Sequence, residues 1–285
     1  RTLQLLAERI NATCARAPQY QAYLEEGNDG SKINVGFLVN TAEVRASVPR
    51  VQVESVVQYG KDARITNPNA STSVMNDRPP LVLRAVLNNS AGAGTPVTVI
   101  ANHLLSLIDI NSTDPGSNGY ATTGDRRRAK RGLQAQDTAA LIEQYQQANP
   151  SERIVLLGDF NAFEFSDGYV DLMGILTGRE AAADAVLAYY DSAITTPLTN
   201  MTGTSVPADR YSFSFEGSAQ SLDHMVVNQA LLDAFAGARI EHARINADFG
   251  TDNFGDDSVA LRVSDHDPVV LFLGEESFRS AELGI

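Results

Sequence analysis

The chain has no tryptophan and only one cysteine, Cys14. A lone thiol excludes an intrachain disulfide and a cysteine metal cage. No apolar run approaches the roughly 20 residues of a bilayer span, and the missing tryptophan counts against anchoring at a membrane interface. Cations are scarce: 22 Lys and Arg stand against 35 Asp and Glu, a formal charge of −13. That balance disfavours a protein held to nucleic acid by a broad basic face. It leaves room for a metal-assisted enzyme acting on phosphates, because a bound cation inverts the local field. It also suits a salty or extracellular setting. Internal repeats, low-complexity stretches and dividing linkers are absent from the sequence.

What is present is a globular composition, 43% apolar and 20% charged over 285 residues, enough for a sizeable core. Leu3, Leu5, Leu6 and Ile10 have helical spacing, ended before Pro18. Strands are expected at Val35–Val39, Val51–Tyr59, Leu81–Leu87, Val97–Ala101, Ile154–Gly158, Tyr211–Phe215, His224–Asn228 and Val269–Leu273. Residues 60–78 and 108–125 read as polar loops, and residues 246–258 as an acidic one. Asp125 is expected to cap a helix running to about Ala148, which Asn149-Pro150 stops. Residues 163–193 read as loop with one or two helices, and Leu231–Gly237 as a short helix. This pattern predicts an α/β fold with largely antiparallel pairing.

Four polar clusters sit at the ends of apolar strands. Val97–Ala101 runs into Asn102-His103, and Ile154–Gly158 runs into Asp159-Phe160-Asn161. Asp223-His224 and Ser264-Asp265-His266-Asp267-Pro268 immediately precede their strands. Each alone is an ordinary turn or cap. Antiparallel pairing between the two kinds of strand would gather all four at one sheet edge. Phosphodiester hydrolysis needs that set of groups: an activated water, a cation on the phosphoryl oxygens and donors for developing charge. Carboxylates hold Mg²⁺ or Mn²⁺. An imidazole held by a carboxylate serves as a base or as a cationic stabiliser.

The series Asn102-His103, GDFNA (158–162), LDH (222–224) and SDHDPV (264–269) resembles the endonuclease/exonuclease/phosphatase superfamily, and further its large secreted bacterial nucleases. INVGFLV (33–39), NDRPPL (76–81), YSFSF (211–215) and the loop at Asn246 extend the likeness along nearly the whole chain. The resemblance implies a DNase I-like four-layer α/β/β/α sandwich with two packed, mostly antiparallel sheets, formed by residues 1–285 as a single domain. It implies that His103 hydrogen-bonds or protonates a phosphate oxygen, and that Asn161 orients the scissile phosphate. Asp159 would contact the attacking water, the leaving group or a metal. Asp223 would orient His266, the general base or transition-state partner, and Asp265 would join Asp159 in holding Mg²⁺, with Mn²⁺ or Ca²⁺ as substitutes.

Arg78 and Arg131 are candidate substrate-binding residues. Arg78 reads either as a contact to the substrate phosphate or as a surface Arg at a loop end. Asn102 is placed with them, although it reads more as support for its loop than as a reacting group. The run Arg126, Arg127, Arg128, Lys130 and Arg131 is either a solvated helix face or a clamp for a polyanionic backbone. His224 is expected to pack beside Asp223. His242 reads as structural, and Asp267 as a weaker ligand candidate than Asp265.

The resemblance also implies a strand carrying a metal-binding Glu upstream of Arg1. The chain is accordingly expected to lack the first strands of the fold and to be poorly active alone, with the full-length protein active. The expected function is a secreted nuclease acting on DNA or RNA, extracellular or periplasmic, with no membrane span and no obligate protein partner. Sphingomyelinase-type and inositol-phosphate activities share the same catalytic set. The first needs an exposed apolar hairpin, and the sequence shows none.

Overall fold

The computed structural model describes residues 2–16, 18–256 and 258–274. In chain order its main elements are α1 (Thr2–Thr13), β1 (Tyr20–Leu24), β2 (Gly36–Asn40), β3 (Val51–Gln58), β4 (Leu81–Asn88), β5 (Gly94–His103) and α2 (Thr123–Ala148). There follow β6 (Ile154–Asp159), α3 (Leu172–Thr177), β7 (Thr199–Asn200), β8 (Phe213–Phe215), β9 (Ser218–Gln220), β10 (Asp223–Val227), α4 (Gln229–Ala234), β11 (Arg239–His242) and β12 (Val269–Phe272).

A six-stranded sheet in the order β7-β10-β6-β5-β4-β3 organises the molecule. Every pair is antiparallel except β5 with β6. That pair is parallel because α2 makes the crossover between the two strands. Side chains alternate across the sheet. On one face Ile100, Ile154, Leu156 and Val226 bury against Ala135, Ala139 and Ile142 of α2 and against Leu172, Ile175 and Leu176 of α3. On the other face Val97, Val155 and Val227 pack with Leu231 of α4, Ile240 of β11 and Val269 and Leu271 of β12. Val39 of β2 closes over Leu83 and Ala85 on the same face. The hairpin β1/β2, with α1 packed on it, and the pair β11/β12 therefore make the second β layer. Among the described residues this layer consists of two separate two-stranded pairs.

Two local expectations are corrected, and one strand goes beyond them. Tyr20–Leu24 forms a strand although its sequence, YQAYL, lacks clean alternation; pairing with β2 decides it. Residues 60–78 contain a small hairpin, Arg64–Thr66 with Thr72–Val74, around a turn in which Ala70 adopts φ 64°. Helix α2 is capped by Thr122 and not by Asp125. The Thr122 hydroxyl accepts from the Asp125 N–H at 3.0 Å, and the Asp125 carboxylate accepts from the Thr122 N–H at 3.0 Å. This reciprocal capping box satisfies two donors that the helix start would leave open. Thr122→Ala is expected to lower unfolding free energy by about 1 kcal/mol, read from the urea midpoint at constant m-value.

Candidate active site

The register of the central strands places three chemistry-bearing residues side by side. Asp159, at the end of β6, lies opposite His103 of β5 and opposite Asp223 of β10. Residues opposite one another share a face, so all three side chains project toward the second β layer, on the side of Val155 and Val227. Gly158 makes the close approach possible: it adopts φ 133°, and any Cβ there would collide with the Asn102 carbonyl. The fourth cluster arrives differently from the sequence expectation. Strand β12 pairs with β11 and not with the central sheet. His266 is brought to the edge by a bridge to Phe213 and by the Asp267 N–H donating to the Ser212 carbonyl at 2.6 Å.

Two carboxylate–imidazole pairs result. His103 Nε2 lies 3.3 Å from Asp159 Oδ2, and His266 Nδ1 lies 2.6 Å from Asp223 Oδ2. Their electrostatics diverge. Burial, helped by the nearby Arg78 charge, lowers His103 to about 4, so this imidazole is neutral at pH 7. Burial also acts to lower His266, but the hydrogen bond and charge of Asp223 outweigh it, and His266 is raised above its ordinary value. Burial and the neighbouring Asp223 charge raise Asp159 to about 6. Environments that push like groups apart in this way separate donor from base.

Ser212 and Phe213, for which the sequence suggested no role, and Asp267, which it offered as a weaker ligand, fix the second pair. The buried Ser212 hydroxyl donates to Asp223 Oδ2 at 2.7 Å and accepts from the Asp223 N–H. Phe213 stacks on the His266 ring, with centroids 4.6 Å apart. Asp267 is buried, and its Oδ1 accepts from the backbone N–H groups of Ile245, Asn246 and Ala247. Asp267 therefore anchors the loop that presents His266. The alternation of aromatic and serine in YSFSF was the available signal for Ser212 and Phe213.

Asn161 sits in a tight turn at φ 48°, a conformation that asparagine tolerates. Its side-chain amide donates to the Leu104 carbonyl at 3.1 Å and to Asp159 Oδ2 at 3.2 Å. It therefore stands beside Asp159, and reaching a phosphoryl oxygen requires exchanging one of these bonds.

Other candidates lie elsewhere. Arg131 is fully buried, and its guanidinium donates to the carbonyls of Leu105 and Asn161. It braces the loops after β5 and β6 and has no face for a substrate, which corrects its assignment as a binding residue. Asn102 is also buried, on the helix side of the sheet and so opposite to His103, and it cannot share a ligand with that residue. Arg78 is largely turned inward, donating to the carbonyls of His103 and Leu104 at 3.1 and 2.8 Å. His224 packs as expected: buried, lowered to about 4 by burial, and bonded to the Ala162 carbonyl and Thr202 hydroxyl. Phe215, 53% exposed at the end of β8 in the β8/β9 hairpin, corrects the expectation that no hairpin exposes an apolar group, and Phe165 is 63% exposed on the loop after β6.

Among the described residues, Asp159, Asp223 and His266 form a set whose ligand atoms all lie within 4.8 Å of one another. Asp265, expected to join Asp159, is exposed and outside that set, and Asp223 stands beside Asp159. Oxygen donors of this kind suit a hard divalent cation, which needs only one or two carboxylates when water and substrate complete its shell. The raised Asp159, facing a second carboxylate, also fits such a charge.

No known protein-family profile matches the chain, and no curated protein matches it. Among solved structures it is similar to a truncated Caenorhabditis elegans TDP2, at 13% identity over 93% of this chain and 76% of that one, with a TM-score of 0.47. It spans 59% of a longer TDP2 chain from the same organism. It is also similar to an endonuclease/exonuclease/phosphatase from Bacteroides vulgatus, at 12% identity over 95% and 82% of the two chains, TM-score 0.47. The human Nocturnin catalytic domain with bound sulfate gives 12% identity over 95% and 76%, TM-score 0.46. Among the described residues no helix is long and apolar enough to cross a membrane.

Proposed function

We propose that the protein is a divalent-metal-dependent phosphodiester hydrolase, built on one catalytic domain and acting as a nuclease on DNA or RNA. The observation that carries this reading is the meeting of two carboxylate–imidazole pairs with opposite pKa shifts at one sheet edge. Asp159 and Asp223 would hold Mg²⁺, which when bound supplies positive charge to the phosphoryl oxygens. His266, oriented by Asp223 and by the Phe213 ring, accepts the proton of the attacking water. His103, neutral at pH 7, donates Nε2–H to a phosphoryl oxygen in place of Asp159 Oδ2. Asn161 steadies Asp159 and offers its amide to the same phosphoryl group. Resemblance to secreted nucleases is what supports an extracellular or periplasmic location.

A panel of plasmid DNA, RNA, sphingomyelin and inositol phosphates, incubated with the protein and Mg²⁺, tests the reading. Cleavage of DNA or RNA that EDTA abolishes and Mg²⁺ restores is expected. Turnover of inositol phosphates alone, or hydrolysis that persists undiminished in EDTA, would contradict it.

A further inference from the structure

We infer that the reaction centre is flanked by two built subsites for a polynucleotide strand: a cationic cleft for a neighbouring phosphate and an aromatic platform for a neighbouring base. This rests on the phosphodiesterase reading and names how a long substrate would lie across it.

The cleft has a volume of about 340 Å³ and is lined by Asp29, Asp77, Arg78, Arg126, Arg127 and Lys130, with the Leu105–Ser106 segment. The basic run divides on folding. Arg128 and Arg131 turn inward, Arg128 to the Ile110 carbonyl and Asp125. Lys130 pairs with Asp77 at 2.7 Å, and Arg127 lies 3.5 Å from Asp109. The Arg126 side chain has no hydrogen-bond or ion-pair partner among the described residues, and its Nε is buried without one. Arg78 lies 3.6 Å from Asp29, so four cations meet three carboxylates, Asp29, Asp77 and Asp109, which leaves the charge of Arg126 uncompensated in a chain of net −13. Such a focus attracts a polyanion. Arg78 joins the cleft to the centre, since the same guanidinium bonds the His103 carbonyl.

The platform lies on the other flank. Phe163 and Phe165 stack with centroids 5.4 Å apart, interplanar angle 14°. They line a second cavity of about 340 Å³ with Arg210, Tyr211, Gln220 and Ser221. Phe163 follows Asn161 by two residues, and Ser221 precedes Asp223 by two. The order of strands fixes the arrangement. The cleft sits beyond β4 and β5, the platform beyond β6 and β10, and His103, Asp159 and Asp223 lie between them. An exposed aromatic face stacks any base without reading its sequence, and a neighbouring phosphate needs only a cation. A small phosphodiester would fill neither subsite.

The test compares wild type, Phe165→Ala and the double variant Arg126→Gln/Arg127→Gln on three substrates with Mg²⁺. These are matched single-stranded DNA and RNA oligonucleotides, ethyl p-nitrophenyl phosphate, and sphingomyelin vesicles. Each variant should raise KM for the preferred oligonucleotide about tenfold and leave ethyl p-nitrophenyl phosphate turnover unchanged. The arginine variant alone should flatten the dependence of log KM on log salt. In EDTA, quenching of a 2-aminopurine oligonucleotide on binding should weaken in Phe165→Ala. Wild-type cleavage of oligonucleotides with both variants unaffected would overturn the inference, as would loss confined to sphingomyelin vesicles. Wild-type turnover of the small diester without any oligonucleotide cleavage would overturn it and leave the phosphodiesterase reading standing. Failure on all three substrates would remove that reading, and the subsites with it.

Discussion

Replacing His266 with alanine should lower kcat for phosphodiester hydrolysis by at least about 10²-fold, the usual contribution of a positioned acid–base group. The expectation follows from the Nδ1 contact to Asp223 at 2.6 Å, which leaves Nε2 as the working nitrogen. The direction of the pH dependence separates the two roles open to this imidazole. Asp223 raises its pKa. As a base it must be deprotonated, so kcat should climb as pH rises through that raised value. Asp223→Asn should move this acid limb to lower pH while reducing the maximum rate. A rate that falls as pH rises through the same region would assign His266 as a cationic stabiliser. A loss smaller than threefold in His266→Ala would move proton acceptance to Asp159.

Asp159→Asn should separate stability from function. Its carboxyl is raised to about 6 from 3.8, chiefly by burial and then by Asp223. A group raised on folding stabilises the protein below its unfolded pKa, here near pH 4, and that stability is lost as pH rises through about 6. Above pH 6 the ionised carboxylate is a net cost that the amide does not carry. At pH 7.5 without metal, the variant should be more stable than wild type by on the order of 2 kcal/mol. Saturating Mg²⁺ should shrink or reverse that advantage, because a cation that binds the carboxylate stabilises only the wild type. Activity should fall at least about 10²-fold. Denaturant midpoints with and without Mg²⁺, beside initial rates, measure all three quantities. A variant less stable than wild type in EDTA at pH 7.5 would show that Asp159 is not under charge strain.

Much of the candidate site's placement could be read from the chain because strand-end polar clusters are local signals. Asp159, His103 and Asp223 each terminate an apolar run, and hydrophobic burial fixes the strand register that aligns them. The helix α2 was legible from its Asn149-Pro150 stop, while its true cap lay three residues upstream of the expected one because a capping box uses both residues. What the sequence could not convey was direction. Asn102 and His103 are neighbours, yet they point to opposite faces of the sheet. Arg131 and Arg126 share one basic run, yet helical geometry buries the first and lines the cleft with the second. Ser212 and Asp267 act through contacts with residues 11 and more than 20 positions away, which no local pattern encodes.

The proposed cation site at Asp159 and Asp223, with His103 and His266 beside it, is tested most directly by paramagnetic broadening. Substoichiometric Mn²⁺ added to the metal-free protein should broaden the imidazole C–H resonances of His103 and His266 before those of the tyrosine rings, and Asp159→Asn should abolish the selectivity. Uniform broadening, or imidazole lines that survive a full equivalent of Mn²⁺, would contradict the shared site.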